Sequence, residues 1–148
     1  MRNKLKSYIS IFFCFLLLCK SVNANEPFKF NVTEIEILED GNQINGYKGG
    51  KATSEDGSTI TAENFFYNKL TNILETTGSV QYLDKTKDII ITSDKAIYFK
   101  NEEKVFAIGN SKAVNENNTI TASNLEYDKT NNIFKAKKDV IIDDLIKV

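Results

Sequence analysis

The chain has 148 residues, enough for one domain with its own core, and its 19 Lys and Arg against 20 Asp and Glu leave a net charge of −1. Histidine is absent, which removes the commonest general base and metal ligand. Residues 1–24 hold four basic residues (Arg2, Lys4, Lys6, Lys20) and no acidic one. The rest is acidic, with no basic stripe, and this excludes nucleic acid as a partner.

Arg2, Lys4 and Lys6 form a basic leader, Ile9–Cys19 an apolar run of 11 residues, and Val22-Asn23-Ala24 a small-residue cleavage site. That order is a secretory signal peptide over residues 1–24, cleaved after Ala24. The run falls short of the roughly 17–25 residues that a spanning helix needs. Leu18 before Cys19 is too bulky for a lipoprotein site. Both cysteines, Cys14 and Cys19, lie inside the signal, so residues 25–148 have neither disulfide nor thiolate chemistry.

From Phe30 onward apolar residues alternate in short runs of Ile, Val, Phe, Tyr and Leu, which predicts strands. Asp40-Gly41-Asn42 and Glu55-Asp56-Gly57 are turn signals. No 3.6-residue apolar period occurs outside the signal. The stretch Ile60–Tyr82 returns without a gap as Ile91–Ala113 and as Ile120–Ile142, with a fainter copy at Phe30–Ala52. The repeats therefore run over about 30–52, 60–82, 91–113 and 120–142, and a period near 30 marks stacked units. Each unit reads as two strands joined by a turn. Units of this size are marginal alone and must stack, giving two facing sheets.

In each first strand the alternation slips from a two-residue to a three-residue step, as between Ala62 and Phe65. This predicts β-bulges at Glu63-Asn64, Asp94-Lys95 and Ser123-Asn124. The alternation turns the following side chains inward. In the first unit they are Val32, Ile35, Ile37 and Ile44, and in the second Ile60, Ala62, Phe65, Tyr67, Leu74, Val80 and Tyr82. In the third they are Ile91, Ala96, Tyr98, Val105 and Ala107, and in the fourth Ile120, Ala122, Leu125, Tyr127, Phe134, Ala136 and Val140. The aligned Tyr67, Tyr98 and Tyr127 fill core or stack on a ligand. Phe106, Ile108 and Ile133 break the pattern by pointing outward.

The paired carboxylates Glu39-Asp40, Glu102-Glu103 and Asp143-Asp144 fall in turns or strand ends and read as solvated charge. There is no phosphate-binding loop. An enzyme, a metal site and a cofactor are therefore not expected. The inward face mixes small residues (Ala62, Ser93, Ala96, Ala107, Ser111, Ala113, Ala122, Ala136) with large ones, and such a face can leave an apolar trough. Large residues on the facing sheet could equally fill it.

The repeat, with Ile60-Thr61-Ala62-Glu63, Tyr67 and Gly78-Ser79-Val80 as its best copy, resembles the OstA-like periplasmic domain of lipopolysaccharide-transport proteins. That domain occurs in LptA and in the N-terminal part of LptD. The resemblance spans about residues 30–142; Ser123, Lys138 and Ser111 depart from its acidic, glycine and valine positions. It implies an all-β, open twisted β-jellyroll in residues 25–148, located in the periplasm or at the outer membrane. It further implies that the inward residues hold lipid A acyl chains and that like domains join end to end by edge-strand pairing. The uncapped apolar segment after Asp139 leans the reading toward an N-terminal piece of an LptD-like chain over a stand-alone bridge. The alternative is a structural or adhesive β-solenoid with a filled core and no lipid ligand.

Overall fold

The computed structural model describes residues 26–144; the signal read over residues 1–24 lies outside them. Ten strands follow one another: β1 (Phe28–Leu38), β2 (Gln43–Ser54), β3 (Thr59–Ala62), β4 (Asn64–Asn68) and β5 (Ile73–Asp84). Then come β6 (Ile89–Phe99), β7 (Lys104–Val114), β8 (Asn118–Asp128), β9 (Ile133–Lys137) and β10 (Ile141–Asp144). Two single 3-10 turns, Glu39–Gly41 and Lys100–Glu102, are the only helical pieces among the described residues, and no helix there is long and apolar enough to cross a membrane.

The two expected facing sheets are halves of one sheet. Every strand joins a single antiparallel ladder in the order β1-β2-β3-β5-β6-β7-β8-β10, with β4 between β2 and β5 and β9 beside β8. The sheet is folded across its strands. Tyr82 pairs with Ile91 on the neighbouring strand, and Tyr98 lies seven residues further along that strand. On a flat sheet those seven residues span about 23 Å. The Tyr82 and Tyr98 rings are nevertheless 6.1 Å apart. Phe30 meets Phe65 at 6.2 Å and Phe28 meets Tyr98 at 5.6 Å in the same way. The half of each strand nearer the turns at 69–72, 100–103 and 129–132 forms one wall. The other half forms the facing wall.

The fold line is made by bulges, and the structure corrects where they sit. The extra residues belong to the second strand of each unit, not to Glu63-Asn64, Asp94-Lys95 or Ser123-Asn124. Lys48-Gly49, Gly78-Ser79, Gly109-Asn110 and Lys138-Asp139 all have positive φ, between 46° and 83°. Asp94 alone faces Gly78-Ser79, and Ser123 alone faces Gly109-Asn110. Two successive left-handed residues give the local kink and added twist that bend a ladder. Each of these facing residues also bonds a side chain of the kink on its other flank. Asn110 Nδ2 donates to Asp94 Oδ2 at 2.9 Å, and Ser123 Oγ donates to Asp139 Oδ2 at 2.9 Å. The three-residue step read in the first strands is therefore the imprint of a bulge opposite them. Glycine is required at Gly78, where an added Cβ would lie 2.6 Å from the Glu63 carboxyl group.

Inside the fold the side chains are sorted by size. Along the fold line lie Ala62, Val80, Ser93, Ser111 and Ala122, all buried, where two diverging backbones leave least room. Toward the turns the space widens and holds Phe65, Tyr67, Leu74, Tyr82, Tyr98 and Tyr127, each with at most 1% exposure. The small residues thus have a packing reason of their own: they let the walls converge.

Candidate functional site

The inner face of the folded sheet is the feature with the greatest chemical content, and the structure turns nearly all of the residues read as inward toward it. Ile44, Ile60, Ala62, Phe65, Tyr67, Leu74, Val80, Ile91, Ala96, Tyr98, Val105, Ala107, Ala122, Leu125 and Tyr127 are buried in one cluster or at its margin. Val32, Ile120 and Phe134 are partly buried against it, and Ala136 is half-buried. Three positions differ: Ile35 is 54% exposed, Ile37 61% and Val140 44%. The alternation put Ile35 and Ile37 on the correct face, since Ile37 pairs with Ile44 and Ile35 with Gly46. They stand at the open edge of the sheet, where no facing wall covers them. Val140 stands at the other open edge, between β9 and β10.

The four inner tyrosines are core with an anchored hydroxyl. Tyr67 donates to Asn72 Oδ1 at 2.9 Å, Tyr127 to Asn132 Oδ1 at 3.3 Å, and Tyr98 to Glu103. Each acceptor lies five residues on, at a positive-φ position of the following turn (φ 55°, 56° and 51°). The ring fills the wall and the hydroxyl holds the turn, a use of tyrosine's polar tip that no ligand is needed to explain. Burial, reinforced by Glu26, pushes the Tyr67 phenol up to about 12. Tyr82, Tyr98 and Tyr127 are pushed higher still, by burial first and by neighbouring acids second.

The sequence reading missed a clasp between the walls. Lys129, 11% exposed, follows Tyr127 on one wall, and its ammonium reaches turns of both walls. It pairs with Asp56, donates to Ser58 Oγ at 2.7 Å, and stands 3.8 Å from Asp84 Oδ2 and 3.9 Å from Glu103 Oε2. Asp84 is wholly buried, and its Oδ2 accepts no hydrogen bond, so the nearby cation is its compensation. Burial lowers the pKa of Lys129. The signal was present as a motif: Lys69, Lys100 and Lys129 stand two residues after the aligned tyrosines. Their backbone N–H groups donate to Asn42, Asn72 and Glu103 carbonyls at 2.8, 3.0 and 2.9 Å, tying each turn to the one before.

The outward aromatic and aliphatic residues that broke the pattern form a patch. Phe106 meets Phe99 edge-on at 5.3 Å, and Phe106, Ile108, Asn124, Glu126, Lys135 and Lys137 rim a shallow depression of about 250 Å³ on the outside. Ile133 is also outward and 48% exposed. Among the described residues no group of His, Cys, Asp and Glu could hold a metal ion.

Fold and site together define an open β-jellyroll with an apolar interior between two walls of one bent sheet. Residues 28–144 match the family described as OstA-like protein, and the chain belongs to that family. No curated protein matches the chain. Among solved structures it is similar to LptH from Pseudomonas aeruginosa, the LptA-homologous periplasmic component of a lipopolysaccharide transport device. The TM-score is 0.72 at 16% identity, over 83% of this chain and 96% of the other, a likeness of fold.

Proposed function

We propose that this protein is a periplasmic, non-enzymatic conduit for lipopolysaccharide, which holds the acyl chains of lipid A between the walls of its bent sheet. Family membership and the shared fold with LptH support the transport role. The observation that carries the lipid assignment is the inner face itself. It is apolar from Ile35 and Ile37 at one edge to Phe134, Ala136 and Ile142 at the other, and at both edges it lies open. An acyl chain entering there gains about 0.8 kcal/mol per methylene removed from water. The walls meet through aromatic contacts and through ion pairs at the open margin, Lys129 with Asp56 and Lys69 with Glu26, with continuous backbone only along the fold line. Chains can therefore replace wall-to-wall contacts while the ladder stays intact. Like domains continue the apolar face by pairing at their edges.

A filled structural solenoid is the second reading, and the close packing of Tyr67, Tyr82, Tyr98 and Tyr127 favours it. The two separate on ligand binding. Purified protein is titrated with lipid A and with deacylated lipopolysaccharide, following tyrosine fluorescence and thermal midpoint. The conduit predicts a saturable change with lipid A alone. No response to lipid A, or an equal response to the deacylated form, supports the filled solenoid.

A further inference from the structure

We infer that the lysine standing two residues after each aligned tyrosine holds the phosphates of the lipid headgroup at the open margin of the fold. This names a subsite of the conduit proposed above and rests on that reading. With acyl chains between the walls, the sugar and phosphate head must stay in water. The fold line is closed to it, because backbone joins the walls there and small buried residues such as Ala62, Ser93 and Ser111 bring them together. A lipid that moves from one open edge to the other therefore carries its head along the opposite margin. There, turns of the two walls meet through side chains.

The charges at that margin are sorted by wall. The turns at 69–72, 100–103 and 129–132 present Lys69, Lys100 and Lys129, all half-buried. The facing wall presents Glu26, Glu55, Asp56 and Asp84. The sorting is partial, since Glu102 and Glu103 accompany the lysines, and Lys85 and Lys87 accompany the acids. Two ion pairs cross between the walls: Lys69 with Glu26 at 2.7 Å, and Lys129 with Asp56. Beside the first lies a depression of about 410 Å³, lined by Lys69, Asn72, Lys100 and Asn101 on one wall and by Glu26 and Glu55 on the other.

Acyl chains that part the walls break both crossing pairs and take Glu26 away from Lys69 and Asp56 away from Lys129. A phosphate at the margin restores the lost counter-charge through charge-assisted hydrogen bonds. Asn72 and Asn101 donate to Asn101 and Thr71, and each amide keeps a second N–H for a phosphate or sugar oxygen. The acids of the far wall repel the same phosphate, which keeps it on the lysine side. Successive lysines stand two strands apart, roughly 10 Å, so a head leaving one approaches the next. A simple lock between the walls accounts for Lys69 and Lys129 but not for Lys100, whose ion pair is with Glu103 of its own turn.

The test titrates the full-length chain with phosphorylated lipid A, dephosphorylated lipid A and inorganic phosphate, following tyrosine fluorescence. The wild type should bind phosphorylated lipid A on the order of 10–100-fold more tightly than the dephosphorylated form. Lys69→Gln with Lys100→Gln should abolish that preference by weakening the phosphorylated lipid alone; circular dichroism checks the fold, and Lys69→Gln by itself should abolish part of it. Glu26→Gln, which frees Lys69 from the facing wall, should tighten both lipids and keep the preference. If the lysines only lock the walls, their loss tightens both lipids alike, and that result overturns the subsite. Inorganic phosphate should not bind, because the lysines stay paired until acyl chains part the walls. Saturable phosphate binding that the lysine substitutions abolish would assign these residues to a free anion and overturn the headgroup subsite. Equal affinity of the wild type for the two lipids refutes the subsite and leaves the conduit standing. Binding of neither lipid refutes the conduit, and the subsite with it.

Discussion

The aligned tyrosine shows how one residue type serves three layers of the fold. Its ring fills the wall, its hydroxyl ties the turn five residues on, and its backbone pairs in the ladder. The sequence left core and ligand stack both open for Tyr67, Tyr98 and Tyr127. The acceptors Asn72, Glu103 and Asn132 decide for core, and they were invisible because a turn residue's positive φ is not written in its type. A titration follows. The Tyr67 phenol is raised from 10.0 to about 12 and the other inner tyrosines further, so the folded state holds these protons more tightly than the unfolded one. That stabilisation is complete below pH 10 and is lost as pH rises through the folded values. Phenolate absorbance of these four should therefore appear together with loss of the β signal in circular dichroism, above pH 10. Their ionisation near pH 10 with the fold intact would contradict the burial. Lys129 gives the second residue-scale expectation. Lys129→Met strands the buried Asp84 carboxylate and should cost roughly 3 kcal/mol in urea unfolding, part of it recovered by adding Asp84→Asn.

At the scale of the strand, alternation carries most of the information. A period of two specifies which face is buried, and the period of about 30 specifies that the units are alike. Ile60, Phe65, Leu74 and Leu125 were legible for that reason. The bulges were legible only as a slip, with their side of the ladder hidden. A three-residue step in one strand and an extra residue in its neighbour leave the same gap between buried positions, and pairing alone distinguishes them. Glycine was the available clue, at Gly78 and Gly109 but not at Lys138. The positions should respond oppositely. Gly78→Ala forces a Cβ against Glu63 at φ 83° and should destabilise by about 2 kcal/mol, whereas Lys138→Gly relieves φ 66° and should stabilise by about 1 kcal/mol. Urea midpoints measured side by side check both signs. Burial at the edges was equally hidden. Ile35, Ile37 and Val140 follow the inner pattern, but a pattern within a strand says nothing about whether another wall stands opposite.

For the whole molecule, the bend turns a plain repeat into an interior. One continuous ladder gives the walls a covalent and hydrogen-bonded spine, and the opposite margin is held by aromatic contacts and by the ion pairs of Lys129 and Lys69. Among the described residues the outermost strands, β1 at one end and β9 and β10 at the other, have no partner on their outer sides. On the proposed function, the acyl chains of an amphiphile would enter at an open edge and replace wall-to-wall contacts between the packed side chains. The outer patch around Phe106, Ile108 and Ile133 supplies an internal control, since it is apolar and exposed but lies on the wrong face. The most direct measurement places a photo-crosslinking amino acid at Ile37 or Phe134 on the inner face, and at Phe106 or Ile133 on the outer, in cells making lipopolysaccharide. Lipopolysaccharide adducts at Ile37 and Phe134, and none at Phe106 and Ile133, are the predicted result. No adduct on the inner face, or equal adducts on both, would contradict an acyl-holding interior.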